Sequence, residues 1–474
     1  MFCYKVKLNL LLKGNNDTIA ALATGQGGAI AVIRVSGPDA VAVAGRIFAA
    51  RSGKPLSDAA GYTVHFGDIR DAEGRTVDEV LVTVFRAPNS YTGEDAVEIS
   101  CHASSYIENR IMQLLLAAGA RAAGPGEFTV RAFLAGKMDL AQAEAVADLI
   151  ASSDRSQHSL ALGQMRGGYS SGLAVLRGEL LTLASLLELE LDFSEEDVQF
   201  ADRAQISALA DKIAAEIGRL MGSFSLGNVI KEGVPVAIVG RPNAGKSTLL
   251  NALVKDDRAM VSEIAGTTRD RIEERVNIGG VTYRFIDTAG LRATDDELER
   301  MGIDRTLDAV SKAYAVLLVT DAGAVSVEDI REQAAALGLR DDQQFCLVLN
   351  KVDKLSGREA SALRDSAGEF FTCVGLSAKT GGNLDSLTEW LRSAVDTGAL
   401  YAGSAVVSNA RHYEALSRAH GALGRVTEGI GSGSSSDLLA EDIREVLHYL
   451  GAITGEITTD EILGTIFSKF CIGK

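Results

Sequence analysis

The chain has 474 residues, 46% hydrophobic and 23% charged, the balance of an ordinary globular protein, which excludes a disordered, collagenous or disulfide-framework chain. That length exceeds a single core and predicts two to four domains. A formal net charge of -16 is opposite in sign to the basic face of a protein whose affinity rests on phosphate contacts, so any nucleic acid is expected to be held locally or by a partner.

In chain order, the stretch Lys5 to Lys13 contains lysines and the short run Leu10-Leu11-Leu12. This run is shorter than a secretory apolar region and no cleavage pattern follows, so residues 1–16 read as an irregular extension. From Asp17 to about Glu127, Ala29 to Ile33 and Val80 to Val84 read as strands and Ile107 to Ala118 as a helix. An α+β domain is therefore expected over 1–135. Beyond Lys137, Leu173, Leu176, Leu180, Leu183 and Leu187, then Ile206, Leu209, Ile213, Ile217 and Leu220, recur at three- and four-residue steps, one apolar stripe per helix. A lone helix cannot bury its stripe. Arg411 to Ile466, again helical in pattern, is the expected partner, which predicts a discontinuous all-α domain over 136–232 and 398–474.

Between these halves, over 233–397, strand-like runs alternate with helical stretches: Val236 to Val239, Tyr283 to Ile286, Val316 to Val319, Cys346 to Leu349 and Thr372 to Gly375. Such alternation predicts an inserted domain with a mostly parallel sheet and helices on both faces, making the whole a multidomain α/β protein. Gly431 to Ser436 reads as a flexible loop. No apolar run approaches the roughly 20 residues that span a bilayer. Cys3, Cys101, Cys346, Cys373 and Cys471 are scattered without a C-x-x-C, which fits a reducing cytoplasm better than disulfides or zinc. The six histidines show no paired metal spacing.

Chemistry concentrates in the inserted domain. Gly240-Arg241-Pro242-Asn243-Ala244-Gly245-Lys246-Ser247 matches G-x-x-x-x-G-K-[ST] between a strand and the helical Thr248 to Val254. Its backbone N–H groups can turn around phosphates, with Lys246 reaching the β/γ-phosphates and Ser247 the Mg²⁺. Asp287-Thr288-Ala289-Gly290 puts a carboxylate at a strand end for the water shell of Mg²⁺ and a glycine N–H for the γ-phosphate. In Asn350-Lys351-Val352-Asp353, the acceptor-only carboxylate of Asp353 can take both N–H donors of guanine but would stay unpaired against adenine, which selects GTP. Ser377-Ala378-Lys379 can offer a backbone N–H to guanine O6. Four such motifs in order and context predict a GTPase. Leu291, after Gly290, cannot orient a water, so the hydrolytic group must come from elsewhere. The loop Ser262 to Asp270 carries hydroxyls and carbonyls suited to a hard cation.

The chain resembles the tRNA-modification GTPase family called MnmE or TrmE. The resemblance runs through Asp17-Thr18-Ile19-Ala20, Ile33 to Gly37, Tyr91 to Asp95, Pro125 to Phe128, Arg131 to Leu134, Lys137 to Glu144 and the terminal Phe470-Cys471-Ile472-Gly473-Lys474. It implies an N-terminal folate-binding domain that drives homodimerisation, and a helical domain split by a G domain that dimerises across potassium. An FAD-dependent partner, MnmG or GidA, is implied, and an aminomethyl or carboxymethylaminomethyl group is built on C5 of the wobble uridine of certain tRNAs. The implied potassium ligands are Asn243, Ser262, Ile264 and Thr267, and the Mg²⁺ ligands Ser247 and Thr268. Glu299 would take the water-orienting role vacant at Leu291. For 5-formyl-tetrahydrofolate the implied residues are Arg34, Glu98, Lys137 and Lys474, with Cys471 a further functional residue beside the last. The loop Thr24 to Gly28, and Ala103, depart from the family pattern.

A rival reading is a GTP-gated binding switch, as in ribosome assembly, although no RNA-binding signature or second P-loop is present. Another is a folate-dependent one-carbon enzyme with GTP only regulatory.

Overall fold

Alternating burial organises the first sheet: Val80, Val82 and Val84 on one strand and Val97, Ile99 and Cys101 on the next are all at most 3% exposed, while the residues between them face outward. The computed structural model describes residues 17–25, 27–192, 203–255, 273–287, 306–396, 398, 405–457, 460–467, 470 and 473. Two compact units emerge, 1–147 with 450–474, and 148–449.

In the first unit, seven strands lie in the order β3-β4-β5-β6-β2-β1-β7. They are β1 (Ile19–Leu22), β2 (Ile30–Ser36), β3 (Phe48–Ala50), β4 (Thr63–Arg70), β5 (Thr76–Phe85), β6 (Ala96–His102) and β7 (Arg121–Ala122). All pairings are antiparallel except β1 with β7. Helices Ala40–Ile47 and Ser105–Ala117 cover one face through Val43, Ala44, Ile111 and Leu115. On the other face Val64, Phe66 and Leu81 are exposed, Phe66 and Leu81 directly opposite each other across the ladder. Helix Glu127–Leu134 packs through Val130 against Leu463 and Phe467 of helix Asp460–Phe467, and against Phe470.

The second unit contains an all-α core and an α/β core. Helix Gly168–Asp192 buries Leu173, Leu176, Leu180, Leu183 and Leu187, and helix Arg203–Gly222 buries Ile206, Ile213, Ile217 and Leu220. Leu209 is only half-buried, and Ala210 takes the inward place beside it. Helix Ala410–Ser432 packs against Arg203–Gly222 and buries small residues such as Ala419 and Ala422. The helical core is thus discontinuous in sequence. Gly168–Leu187 is long and apolar enough to cross a bilayer, but its leucine stripe is already used in this packing. The run expected to be a flexible loop is instead a helix terminus and turn. Gly433 adopts φ +74 beyond Ser432, Ser434 N donates to Gly429 O at 2.8 Å, and the next helix starts at Ser436. Glycine in the left-handed region closes a helix end, and that chemistry outweighs composition.

The α/β core has six strands: β8 (Val234–Val239), β9 (Glu273–Ile278), β10 (Val281–Asp287), β11 (Ala315–Asp321), β12 (Gln344–Asn350) and β13 (Cys373–Leu376), in the order β13-β12-β11-β8-β10-β9. Every pairing is parallel except β9 with β10. Helices Lys246–Lys255 and Leu384–Ala394 cover one face, and Val327–Ala336 and Gly357–Gly368 the other. This is the expected inserted sheet with one added edge strand. The β9 sequence, Glu-Glu-Arg-Val-Asn-Ile, was hidden by its charges, although Val276 and Ile278 alternate inward and the Gly279-Gly280 pair after it is a hairpin signal.

Candidate functional site

A parallel sheet directs all its carboxyl ends to one edge, and ligands bind there. Strand β8 ends beside Gly240, β10 on Asp287, β12 on Asn350, and β13 just before Ser377. The registers Asp287 to Ile238, Leu318 to Val239 and Asn350 to Leu376 hold these ends level. The described parts of four motifs spread over more than a hundred residues therefore begin on one rim.

The P-loop turns where side chains would obstruct it. A Cβ on Gly240, at φ +141, would lie 2.1 Å from Val319 O, and one on Gly245, at φ +97, 2.2 Å from Asn350 Nδ2. Asn243 also sits in the left-handed region, at φ +61. Lys246 Nζ curls over the loop, donating to Gly240 O at 2.7 Å and Arg241 O at 3.0 Å. Ser247 and Thr248 follow in the first turn of helix Lys246–Lys255, the end that presents free N–H groups to an anion.

The guanine-side motifs interlock with this loop. Asn350, 2% exposed, donates through Nδ2 to Ala244 O at 2.8 Å and accepts at Oδ1 from Ala378 N at 3.0 Å. Lys351 donates through Nζ to Asn243 O at 2.6 Å and pairs with Asp321 Oδ2 at 2.8 Å. That hydrogen bond from Lys351 holds the Asp321 carboxyl below its ordinary value against the opposing effect of burial. Asp353 is exposed at the turn Val352–Lys354. Ser377 N bonds Gly382 O, and Asn383 Nδ2 donates to Gly375 O at 2.6 Å, bracing the loop that presents Ala378 and Lys379. A cavity of about 680 Å³ lies between Thr248, Asn251 and Lys255 on one side and Ala378, Lys379 and Leu384 on the other. The P-loop, the exposed Asp353 carboxylate and the braced Ala378–Lys379 loop thus follow the ends of β8, β12 and β13 on one edge of the sheet.

Asp321 was missed by motif reading. Its signal was a strand-end aspartate, interpretable only once β11 is known to lie beside β12. Ser262, Ile264, Thr267, Thr268, Thr288, Ala289, Gly290, Leu291 and Glu299 lie outside the described residues, as does the extension 1–16, and of Asp287 only the backbone is described.

In the first unit, Arg34 donates through Nε and Nη2 to Glu98 Oε1 at 2.9 and 2.8 Å, as the β2–β6 register, which pairs these residues, requires. The guanidinium lies over Tyr91 at 5.4 Å and Phe128 at 5.6 Å, and Nη1 is 3.5 Å from Gly473 O. Lys137 Nζ donates elsewhere, to Pro88 O at 3.0 Å. Cys471 and Lys474 lie outside the described residues. Beside this pair, Glu127, fully buried, accepts from Arg121 Nη2 at 2.6 Å and Gly124 N at 2.7 Å.

Burial pushes the thiols of Cys101 and Cys373 up to about 11 and that of Cys346 to about 12, so all three stay protonated and unreactive at neutral pH. Among the described residues, no group of three or more metal-ligating side chains is present. His102 instead binds Asp78 Oδ1 at 2.8 Å, and His412 stacks on Tyr169.

Comparison with known proteins covers both units. The family described as MnmE helical domain matches residues 140–471, and that described as GTP-binding protein TrmE N-terminus matches residues 18–137. Curated proteins named tRNA modification GTPase MnmE are similar along the length of the chain. The one from Bacteroides fragilis is 52% identical over 97% of this chain and 100% of its own, and that from Christiangramia forsetii 51% identical over 97% and 99%. That from Flavobacterium psychrophilum is 48% identical over 97% and 99%. Among solved structures, Era in complex with MgGDPNP and a segment of 16S ribosomal RNA aligns with 34% of this chain and 56% of its own, at 30% identity and a TM-score of 0.28.

Proposed function

The chain belongs to the MnmE family and is a GTP hydrolase of tRNA modification, and from that premise we propose the following chemistry. It is a potassium-activated GTPase that works with an FAD-dependent partner of the MnmG or GidA type and a tetrahydrofolate one-carbon unit. Together they build an aminomethyl or carboxymethylaminomethyl group on C5 of the wobble uridine of certain tRNAs.

The N-terminal residues 1–135 bind folate and dimerise, 136–232 with 398–474 form the helical domain, and 233–397 form the G domain. Support for the dimer comes from the exposed sheet face bearing Val64 at 60%, Phe66 at 50% and Leu81 at 48% exposure, more apolar surface than a free β-face usually shows.

At the nucleotide, Lys246 meets the phosphates and Asp353 reads guanine. Ser247 and Thr268 hold Mg²⁺, and Asn243, Ser262, Ile264 and Thr267 hold K⁺. Support for the first of these ligands is that Ser247 opens the helix Lys246–Lys255 and that Asn243 is exposed on the P-loop. The cations supply positive charge to the transferring phosphoryl group. Glu299 orients the attacking water.

The observation that carries the folate reading is the meeting of Arg34, Glu98 and the penultimate residue Gly473, because it brings the far end of the chain to a carboxylate and a guanidinium. A carboxylate such as Glu98 suits the amino-pyrimidinone edge of a pterin, and Arg34, Lys137 and Lys474 suit its carbonyl and acidic groups.

Mass spectrometry of wobble uridines in a strain lacking the gene tests the reading. Loss of the aminomethyl-type nucleosides is expected, and an unchanged nucleoside profile overturns it.

A further inference from the structure

Asp154 lies between helices Leu140–Ala151 and Arg155–Met165 and is 9% exposed. Its two carboxylate oxygens serve different cores. Oδ1 accepts from Gln157 N at 2.8 Å and caps the helix, whereas Oδ2 accepts from Thr282 N at 2.8 Å, near the start of β10. Thr282 is itself 4% exposed, so its amide is shielded from water and depends on this acceptor. Two residues further along, Ser156 N donates to Gly280 O at 3.0 Å in the β9–β10 turn. Loop and hairpin are thus joined at two points. The loop is anchored in turn: Gln157 Nε2 donates to Lys231 O at 3.3 Å, and Lys231 Nζ pairs with Asp148 at 2.7 Å.

In sequence, the hairpin held by this loop lies between the Ser262 to Asp270 loop and the Asp287 to Gly290 motif. Strand β10 ends on Asp287, and β9 begins at Glu273, five positions after Thr268. The two strands are paired continuously from Glu273 to Ile278, so one unbroken ladder links their far ends to Gly280 and Thr282.

The geometry points to Asp154 as the positioning residue through which the helical core follows the β9–β10 hairpin and couples GTP hydrolysis to tRNA modification. This rests on family membership and on none of the potassium or folate assignments.

Asp154→Asn separates coupling from simple capping. Asparagine caps a helix as well as aspartate does, so the bond from Gln157 N survives. Its Nδ2 is a donor and cannot accept from Thr282 N. The test compares the full-length wild type with D154N and D154A in three measurements: thermal midpoint, GTP turnover in vitro, and modified-nucleoside content of tRNA in cells carrying each variant as the sole copy. For D154N the midpoint should fall, because the buried Thr282 amide is stranded, but less than for D154A, and turnover should stay within about two-fold, while modification per GTP hydrolysed falls about ten-fold, in the usual range of coupling energies. The Thr282 amide should also exchange faster with solvent. D154A should lower the midpoint further, having lost the cap as well. Full modification in D154N overturns the proposal. So does a proportional fall of turnover and modification, or a midpoint as low as that of D154A, since each leaves Asp154 a structural residue only.

Discussion

Asn350 Nδ2 donates to Ala244 O at 2.8 Å, tying the end of β12 to the P-loop. The same side chain accepts from Ala378 N, so one amide holds the phosphate loop and the guanine loop at a set spacing.

Asn350→Ala should therefore damage both stability and binding. It leaves the Ala244 carbonyl and the Ala378 amide without partners in a site that is 2% exposed at Asn350. Buried groups stranded in this way cost about 1–3 kcal/mol. Denaturant unfolding should show the loss, and titration with a fluorescent GTP analogue should show affinity falling further than stability alone explains. Unchanged affinity would mean that the two loops are positioned by other contacts.

Asp353→Asn should change base preference rather than fold, because the side chain is exposed and its amide gains a donor that guanine's paired N–H groups cannot accept. GTP should bind more weakly and xanthosine triphosphate relatively better in a competition assay. Equal GTP affinity in the variant and wild type would remove Asp353 from the base pocket.

Hydrolysis is expected to be fast in potassium, rubidium or ammonium and slow in sodium or lithium at matched ionic strength. Leu291 supplies neither charge nor hydrogen bond, and a cavity of fixed oxygens selects ions by size where an arginine does not. Asn243→Ala should abolish the difference between the salts. Equal turnover in potassium and sodium across a concentration series would favour Arg241, Arg269 or Arg292 as the positive group.

Stability of the first unit should depend on pH through Asp17. Burial pushes its carboxyl up, but hydrogen bonds from Arg121 and Arg131 more than offset this and hold it below the ordinary 3.8. A carboxyl depressed on folding contributes stability that is fully present above the unfolded value and is lost as pH falls through the folded one. Acid titration of unfolding should show a loss beginning near pH 4 and continuing below it, and Asp17→Asn should shrink that loss. An identical acid profile in the variant would assign the dependence to other carboxylates.

Much of this protein was legible in the linear chain. The G-x-x-x-x-G-K-S, D-x-x-G, N-K-x-D and S-A-K segments identify a guanine-nucleotide site because each encodes a local geometry: a turn around phosphate, a strand-end carboxylate, an acceptor for two N–H donors. Leucine and isoleucine stripes placed the helical core in two pieces for the same reason, since periodicity and burial are linked residue by residue. What the chain concealed were relationships between elements. Strand β9 is masked by Glu273, Glu274 and Arg275, and only its pairing with β10 reveals that Val276 and Ile278 point inward. Asp321 is an ordinary strand-end aspartate until β11 lies beside β12 and brings Lys351 to it. Asp154 reads as a plain helix cap until Thr282, 128 residues away, donates to its second oxygen. Sequence determines which groups each segment can offer, whereas partners that far apart are set by sheet order and helix packing, which belong to the whole core and to no single segment.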